Sequence, residues 1–242
     1  MDFATLAAQY DAWYATPLGQ WADQVETEAI MRMLALPAGA EILDLGVGTG
    51  RFALMAAQRG WRVTGIDSSA AMLAVAQARC AAHAAQSIDL VRGQAIALPF
   101  TAARFDAVLG LTALCFIPDL SAALREARRV LRPAGRLVLG ELNRHSLWMS
   151  LRRLEGMFRP TIFRTARTHT ITEWHALLRE AGFTVQHWEG LLHLPPINSA
   201  GVLRSLEPME RAGRRWTPAY GAFLALAATP TGNDARETRE AY

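Results

Sequence analysis

The sequence predicts an α/β fold: a doubly wound, mostly parallel sheet with helices on both faces. Three observations predict it. From Glu41 onward, short apolar segments alternate with stretches of helix length. A glycine-rich turn, Gly46-Val-Gly48-Thr-Gly50, follows the first of these segments directly. An aspartate, Asp67, ends the second segment 21 positions after Gly46. Strands separated by helices indicate right-handed crossovers and hence parallel pairing.

The elements follow in order. Residues 1–40 carry helical periodicity, with Trp21, Val25 and Ala29 in step, and end near Leu36-Pro37-Ala38-Gly39. Glu41–Leu45 reads as a buried strand and Phe52–Arg59 as the helix after the glycine turn. Arg62–Ile66 is a second strand and Ser69–Ala85 an alanine-rich helix. Ile88–Arg92 and Phe105–Leu111 are the third and fourth strands, and Leu120–Leu131 is a helix. Pro133-Ala134-Gly135 turns into a fifth strand, Arg136–Glu141. Leu142–Ile171 then interrupts the rhythm. A threonine-capped helix around Thr172-Glu173-Trp174 ends at Gly182. Phe183–Glu189 and Tyr220–Ala227 read as two last strands. The expected organisation is an N-terminal helical lid (1–40), a core (41–141), a cap insertion (142–171), the rest of the core (172–229) with a second insertion (190–218), and a polar tail (230–242).

Composition removes several chemistries. All 25 basic residues are arginine and none is lysine. This excludes a Schiff-base lysine and the G-x-x-x-x-G-K-[ST] phosphate loop. The two cysteines, Cys80 and Cys115, lack C-x-x-C spacing, so neither a disulfide framework nor a cysteine zinc site is expected. His169 and His175 lack a third ligand at any metal spacing, so no metal is expected. The N-terminus shows no signal peptide and no apolar stretch reaches membrane-spanning length, so the expected location is cytoplasmic.

The glycines at 46, 48 and 50 do not fit the dinucleotide pattern G-x-G-x-x-G, which requires glycine where Arg51 stands. The physics is shared: a tight turn after a strand exposes backbone on which a ligand lies against a helix start. Asp67 can accept both hydroxyls of a ribose; its alternative role is to cap the following helix.

With these blocks the chain resembles the class I S-adenosylmethionine-dependent methyltransferases. The resemblance rests on Leu43-Asp44-Leu-Gly46-Val-Gly48-Thr-Gly50, Gly65-Ile-Asp67-Ser68, Gly93-Gln94-Ala95, Phe105-Asp106-Ala-Val108 and Arg125–Gly135. It is nearest the branch containing quinone, sterol and other small-molecule methyltransferases. It implies a seven-stranded sheet with the last strand antiparallel, and S-adenosylmethionine as cofactor. Asp44, Gly46, Gly48 and Gly50 would lie along its methionine and ribose, and Asp67 would hold the ribose. Ser68, Met72, Gln94 and Ala95 would border the adenine, and Leu111 and Thr112 the methionine end. Gln94 stands where aspartate is usual and gives an uncharged acceptor instead. Tyr10 and Tyr14 resemble an aromatic lid; their alternative is ordinary helix packing.

The fourth strand is followed by Leu111-Thr112-Ala-Leu114-Cys115-Phe116, which contains neither N-P-P-Y nor a Pro-Cys pair, so DNA is not the expected substrate. Cys115 reads as an apolar filler. Six arginines against Glu155 give Leu142–Ile171 a charge of +5 on a chain whose total is +3. Leu147, Leu151, Leu154 and Phe158 recur there at helical spacing beside Trp148. The stretch reads as a lid over a hydrophobic or anionic acceptor or a peripheral membrane contact, with a bland cover helix or a nucleic-acid contact as alternatives. The expected acceptor is a small hydrophobic molecule such as a quinone, lipid or aromatic metabolite, contacted by Tyr10, Phe116, Trp148 and His193. His145, just beyond the fifth strand, is the candidate base, with Glu141 and His193 weaker choices. An RNA methyltransferase or a non-catalytic cofactor-binding protein is the alternative, and the chain is expected to be a monomer or homodimer.

Overall fold

Seven strands form one sheet: β1 (Glu41–Leu45), β2 (Arg62–Asp67), β3 (Ile88–Arg92), β4 (Phe105–Leu111), β5 (Leu131–Leu142), β6 (Phe183–Leu191) and β7 (Phe223–Pro230). Their order in the computed structural model, which describes residues 3–83, 85, 87–158 and 166–232, is β3-β2-β1-β4-β5-β7-β6. The strands β3, β2, β1, β4 and β5 pair in parallel, and β7 runs antiparallel to both β5 and β6. The expected doubly wound sheet with an antiparallel last strand is therefore present. The strand order reverses between β1 and β4, and in such sheets ligands bind beyond the carboxyl ends at that point.

The central strands read as apolar runs because both faces are covered. Ile42, Leu43 and Leu45 of β1 and Val108 and Leu109 of β4 are each at most 1% exposed. One face packs on α2 (Pro17–Leu34) and α3 (Arg51–Gln58), with Ile30, Phe52 and Trp61 inside. The other packs on α5 (Leu120–Val130) and α7 (Ile171–Glu180), with Leu124, Trp174 and Leu178 inside. The helix α4 (Ala70–Ala82) follows β2. Its first turn is capped by the Ser69 hydroxyl, which accepts from Met72 N at 3.2 Å. A capping box opens α7 through Thr170 and Glu173, so its cap lies two residues before Thr172.

Several boundaries differ from the sequence expectation. The N-terminal stretch is two helices, α1 (Phe3–Tyr14) and α2, because Thr16 caps α2 and Pro17 fits its first turn. The strand β5 starts at Leu131, and Arg132–Gly135 bulges out between the pairs Phe105↔Leu131 and Ala107↔Arg136. The helix α6 (Leu147–Phe158) fills the first insertion. The helix expected over Val202–Arg215 is two, α8 (Ala200–Ser205) and α9 (Glu207–Trp216), with Pro208 in the first turn of the second. Because β6 extends to Leu191, the second insertion begins after it; of the expected tail, residues 233–242 lie outside the described ones. No helix among the described residues is long and apolar enough to cross a membrane.

The corner between α1 and α2 is tight. A Cβ on Gly19 would sit 2.0 Å from the carbonyl oxygen of Trp13. Gly19→Ala is expected to force the two helices apart and to cost about 1–3 kcal/mol, the range for overpacking. A urea melt checks this, and an unchanged midpoint would mean that the corner adjusts freely.

Candidate active site

The site is assembled at the carboxyl ends of β1, β2, β4 and β5. After β1 the chain reverses onto β2: Gly46 N and Val47 N both donate to Ile66 O, at 2.8 and 3.1 Å. Gly46 and Gly48 have φ of +74° and +54°, a region disfavoured for residues with a Cβ. A Cβ on Gly46 would meet Ala113 Cβ at 2.5 Å, so that approach requires glycine. A Cβ on Gly48 would meet nothing nearer than 3.9 Å. Its open face is therefore free backbone surface, a cradle for a ligand rather than a packing contact. Gly50 then opens α3 without any side-chain cap.

Asp67 faces this turn. One carboxylate oxygen accepts from Gly48 N at 2.9 Å and the other from Ser69 N at 2.8 Å. A carboxylate has about four acceptor positions, so two remain for hydroxyl donors. The cap of α4 is Ser69, which removes the alternative role for Asp67. Asp44 lies beneath, 3% exposed, and burial followed by the charge of Asp67 pushes it up to about 7. Gly93 N donates to Asp67 O at 3.0 Å, which places Gln94 and Ala95 at the adjoining end of β3. Gln94 is exposed there, Ala95 and Met72 are half-buried, and Ser68 is exposed.

On the other side of the switch point, Thr112 has φ +48°, uncommon for a β-branched residue, while its N–H donates to Gly140 O at 2.7 Å. The lid helix α1 reaches this point. The Tyr10 hydroxyl lies 3.3 Å from that of Tyr14, and the Thr112 side chain is near enough to act on its acidity. Burial raises the pKa of Tyr10 and raises that of Tyr14 well above the usual phenol value. Polar contacts that no motif announced tie α1 down. Asp11 accepts from the Thr49 hydroxyl at 2.9 Å and pairs with Arg79 of α4 at 2.6 Å. Arg51 stacks over the Tyr14 ring, 3.8 Å from its centroid, and pairs with Asp23.

At the end of β5, Glu141 is 1% exposed. One of its oxygens accepts from Leu114 N at 2.9 Å; the other has no partner among the described residues. Burial pushes the carboxyl up to about 7, against the lowering effect of the backbone N–H groups. Glu141 thereby braces the loop that carries Thr112 and Phe116. The folded-state pKa lies above the unfolded value, so the folded protein binds the extra proton between about pH 4.5 and 7. This part of the stability is lost as pH rises through that window. Glu141→Gln is expected to flatten the fall by about 1–3 kcal/mol. Urea melts at both ends of the window check it, and an unchanged slope would contradict it.

The expected acceptor contacts fall in different places. Phe116 is 43% exposed, in a single 3-10 turn (Leu114–Phe116) just past Thr112. Trp148 is instead 6% exposed and donates to Leu194 O at 2.5 Å, so it pins the first insertion to the second. His193 is also structural. Its ring meets Thr217 O at 3.1 Å and lies 3.6 Å from Glu210, whose carboxylate also takes Leu192 N and His193 N. His145 is exposed, its backbone N–H held by the Asn143 side chain at 3.1 Å. In α6 the inward residues are Trp148 and Met149, while Leu147, Leu151 and Leu154 are 43–55% exposed. The side chain of Phe158, and residues 159–165 with Arg159 and Arg164, lie outside the described ones.

Comparison with known proteins gives the family and agrees with the fold. The family model described as a methyltransferase domain matches residues 43–139. An uncharacterized protein of Mycobacterium tuberculosis is 36% identical over 190 residues, covering 78% of this chain and 62% of that protein. The demethylmenaquinone methyltransferase of Tropheryma whipplei is 40% identical over 115 residues, 48% of this chain and 47% of that one. An O-methyltransferase of Aspergillus sclerotiorum is 33% identical over 182 residues, 69% of this chain and 68% of that one. The chain belongs to the class I S-adenosylmethionine-dependent methyltransferases. It spans less than two thirds of the length of the first two relatives. A crystal structure of an S-adenosylmethionine-dependent methyltransferase from Thermotoga maritima shares the fold, with a TM-score of 0.69 at 24% identity over 94% of this chain and 98% of that one.

S-adenosylmethionine is the cofactor of this family, and the residues present fit it. The open backbone face at Gly48 and the two remaining acceptor positions of Asp67 suit its ribose. The carboxylate of Asp67 gives the turn the negative character that favours a sulfonium and an ammonium.

Proposed function

We propose that this chain transfers the methyl group of S-adenosylmethionine to a small aromatic or otherwise apolar acceptor, a hydroquinone or phenol being the best match. One observation carries the reading. Half-buried Tyr10 and Tyr14, their hydroxyls 3.3 Å apart, gather with half-buried Thr112 just beyond the end of β4, where Leu111 is also half-buried. That combination offers flat apolar walls and a few convergent hydroxyls, which suits a small aromatic ring bearing an oxygen. The relatives named as a demethylmenaquinone methyltransferase and an O-methyltransferase support the same class.

The cofactor supplies a methyl group on a sulfonium, which is already electrophilic. The protein's contribution is placement and exclusion of water. Asp67 and the glycine turn orient the cofactor, and Tyr14 closes over it from α1. Tyr10, Thr112 and Phe116 hold the acceptor. His145 is exposed beyond β5, its backbone N–H held by the Asn143 side chain.

RNA is the weaker reading because three of the insertion's arginines are engaged within the protein. Arg144 pairs with Glu173, Arg153 bonds Thr168 at 3.5 Å, and Arg167 bonds Pro118 O at 3.0 Å. A free basic stripe would be needed for nucleic acid. Incubation with methyl-labelled cofactor and a cell extract, then separation into chloroform-soluble material and RNA, tests the choice. Label is expected in the chloroform-soluble fraction, and label in RNA would reverse the reading.

A further inference from the structure

The helix α2, joined through Asp23 to Arg51 and so to Tyr14 of α1, carries a carboxyl that no motif marks. Glu26 lies three residues after Asp23 on α2, so the two share a helix face. Asp23 is engaged: it pairs with Arg51 and accepts from the Thr27 hydroxyl at 3.5 Å. Glu26 has no hydrogen bond or ion pair among the described residues; its charged neighbours are Asp23 and Arg51. Its charge is felt by both lid phenols, Tyr10 and Tyr14. It is ringed by protein yet keeps part of its surface open, as do Tyr10, Tyr14 and Thr112. A carboxyl in such a place is withdrawn from bulk water and still reachable by a ligand.

We propose that Glu26 is the catalytic base of this enzyme, taking the proton of an acceptor hydroxyl seated against Tyr10, Tyr14 and Thr112. The assignment rests on the aromatic-acceptor reading above. In the step, the O–H proton passes to a Glu26 carboxylate oxygen while an oxygen lone pair forms the new bond to the methyl carbon. The carbon–sulfur bond of the methyl donor breaks with its electron pair going to sulfur, so the positive charge there is neutralised. Glu26, now neutral, returns the proton to water when the product leaves. Burial, then the charge of Asp23, lifts this carboxyl to about 8 against the lowering effect of Arg51. That places it near working pH, where a base is both available and strong enough to act. The other acidic candidate, Glu141, has its unpartnered oxygen sealed from solvent, and His145 faces outward.

The test uses the whole chain with S-adenosylmethionine and two probes, 2-naphthol and reduced 1,4-naphthoquinone kept under anaerobic conditions. In the wild-type protein kcat/KM is expected to rise with pH and level off above about 8, because the carboxylate is the active form. Glu26→Gln is expected to lose about a hundredfold or more of this rate together with the pH dependence, while binding the cofactor as before by calorimetry. Glu26→Asp keeps an ionisable group and is expected to retain a pH-dependent, reduced rate. Rates in Glu26→Gln equal to wild type would overturn the assignment. So would a pH profile abolished by His145→Gln instead, or loss of cofactor binding in Glu26→Gln. Failure of the wild-type protein to methylate either probe would remove the aromatic-acceptor reading, and the assignment with it. Should Glu26→Gln not fold, the Glu26→Asp profile decides: a pH dependence identical to wild type in rate and midpoint would overturn the role.

Discussion

Asp67→Ala is expected to weaken S-adenosylmethionine binding at least about tenfold, measured by isothermal titration calorimetry. The carboxylate keeps two acceptor positions beyond those taken by Gly48 N and Ser69 N. Hydrogen bonds to a charged group contribute about 1.5–3 kcal/mol each, so losing even one to a ribose hydroxyl reaches that factor. The substitution also releases two backbone donors that hold the glycine turn against the start of α4. A modest fall in melting temperature should therefore accompany the loss. Asp67→Asn keeps the shape and one acceptor oxygen, and its loss should be smaller. Unchanged affinity in Asp67→Ala would remove Asp67 from the cofactor site.

Trp148→Ala should be among the most destabilising single changes in the chain, at about 3–5 kcal/mol by urea unfolding. The indole is 6% exposed within the core shared by α2, β7 and the second insertion, and it donates to Leu194 O. Truncation leaves both a cavity and an unpaired buried carbonyl. The two insertions should loosen together, since this hydrogen bond joins them. A loss under about 1 kcal/mol would mean that α6 is held elsewhere.

The core was legible in the sequence because its signals are local. The alternation of strands and helices over residues 41–141, the spaced glycines and the carboxylate ending β2 each depend on neighbouring residues. The seven strands and the antiparallel β7 followed from the family resemblance, while the order of the strands came from the structure. The site's remaining parts were less legible because they depend on which face of an element turns inward. In α6, periodicity grouped Leu147, Leu151 and Leu154 on one face, but it could not say that Trp148 and Met149 would be buried and those leucines exposed. The break at Leu206 between α8 and α9 was signalled by Pro208, which the apolar periodicity concealed.

Long-range polar pairs left no pattern at all. The Asp11–Arg79 and Arg51–Asp23 pairs join residues 68 and 28 positions apart. Only the fold brings them together at the lid. Glu26 belongs to the same group: in the sequence it is one acidic residue among several on a surface-like helix. Arg51 was noticed only as the residue that spoils a dinucleotide motif, yet it links α1, α2 and α3 through Tyr14 and Asp23.

Titration of the wild-type chain with S-adenosylmethionine tests the central claim most directly, because every functional assignment depends on the cofactor lying against Asp67 and the glycine turn under α1. One saturable site per chain is expected, with S-adenosylhomocysteine competing for it. A titration with no saturable binding would contradict the account.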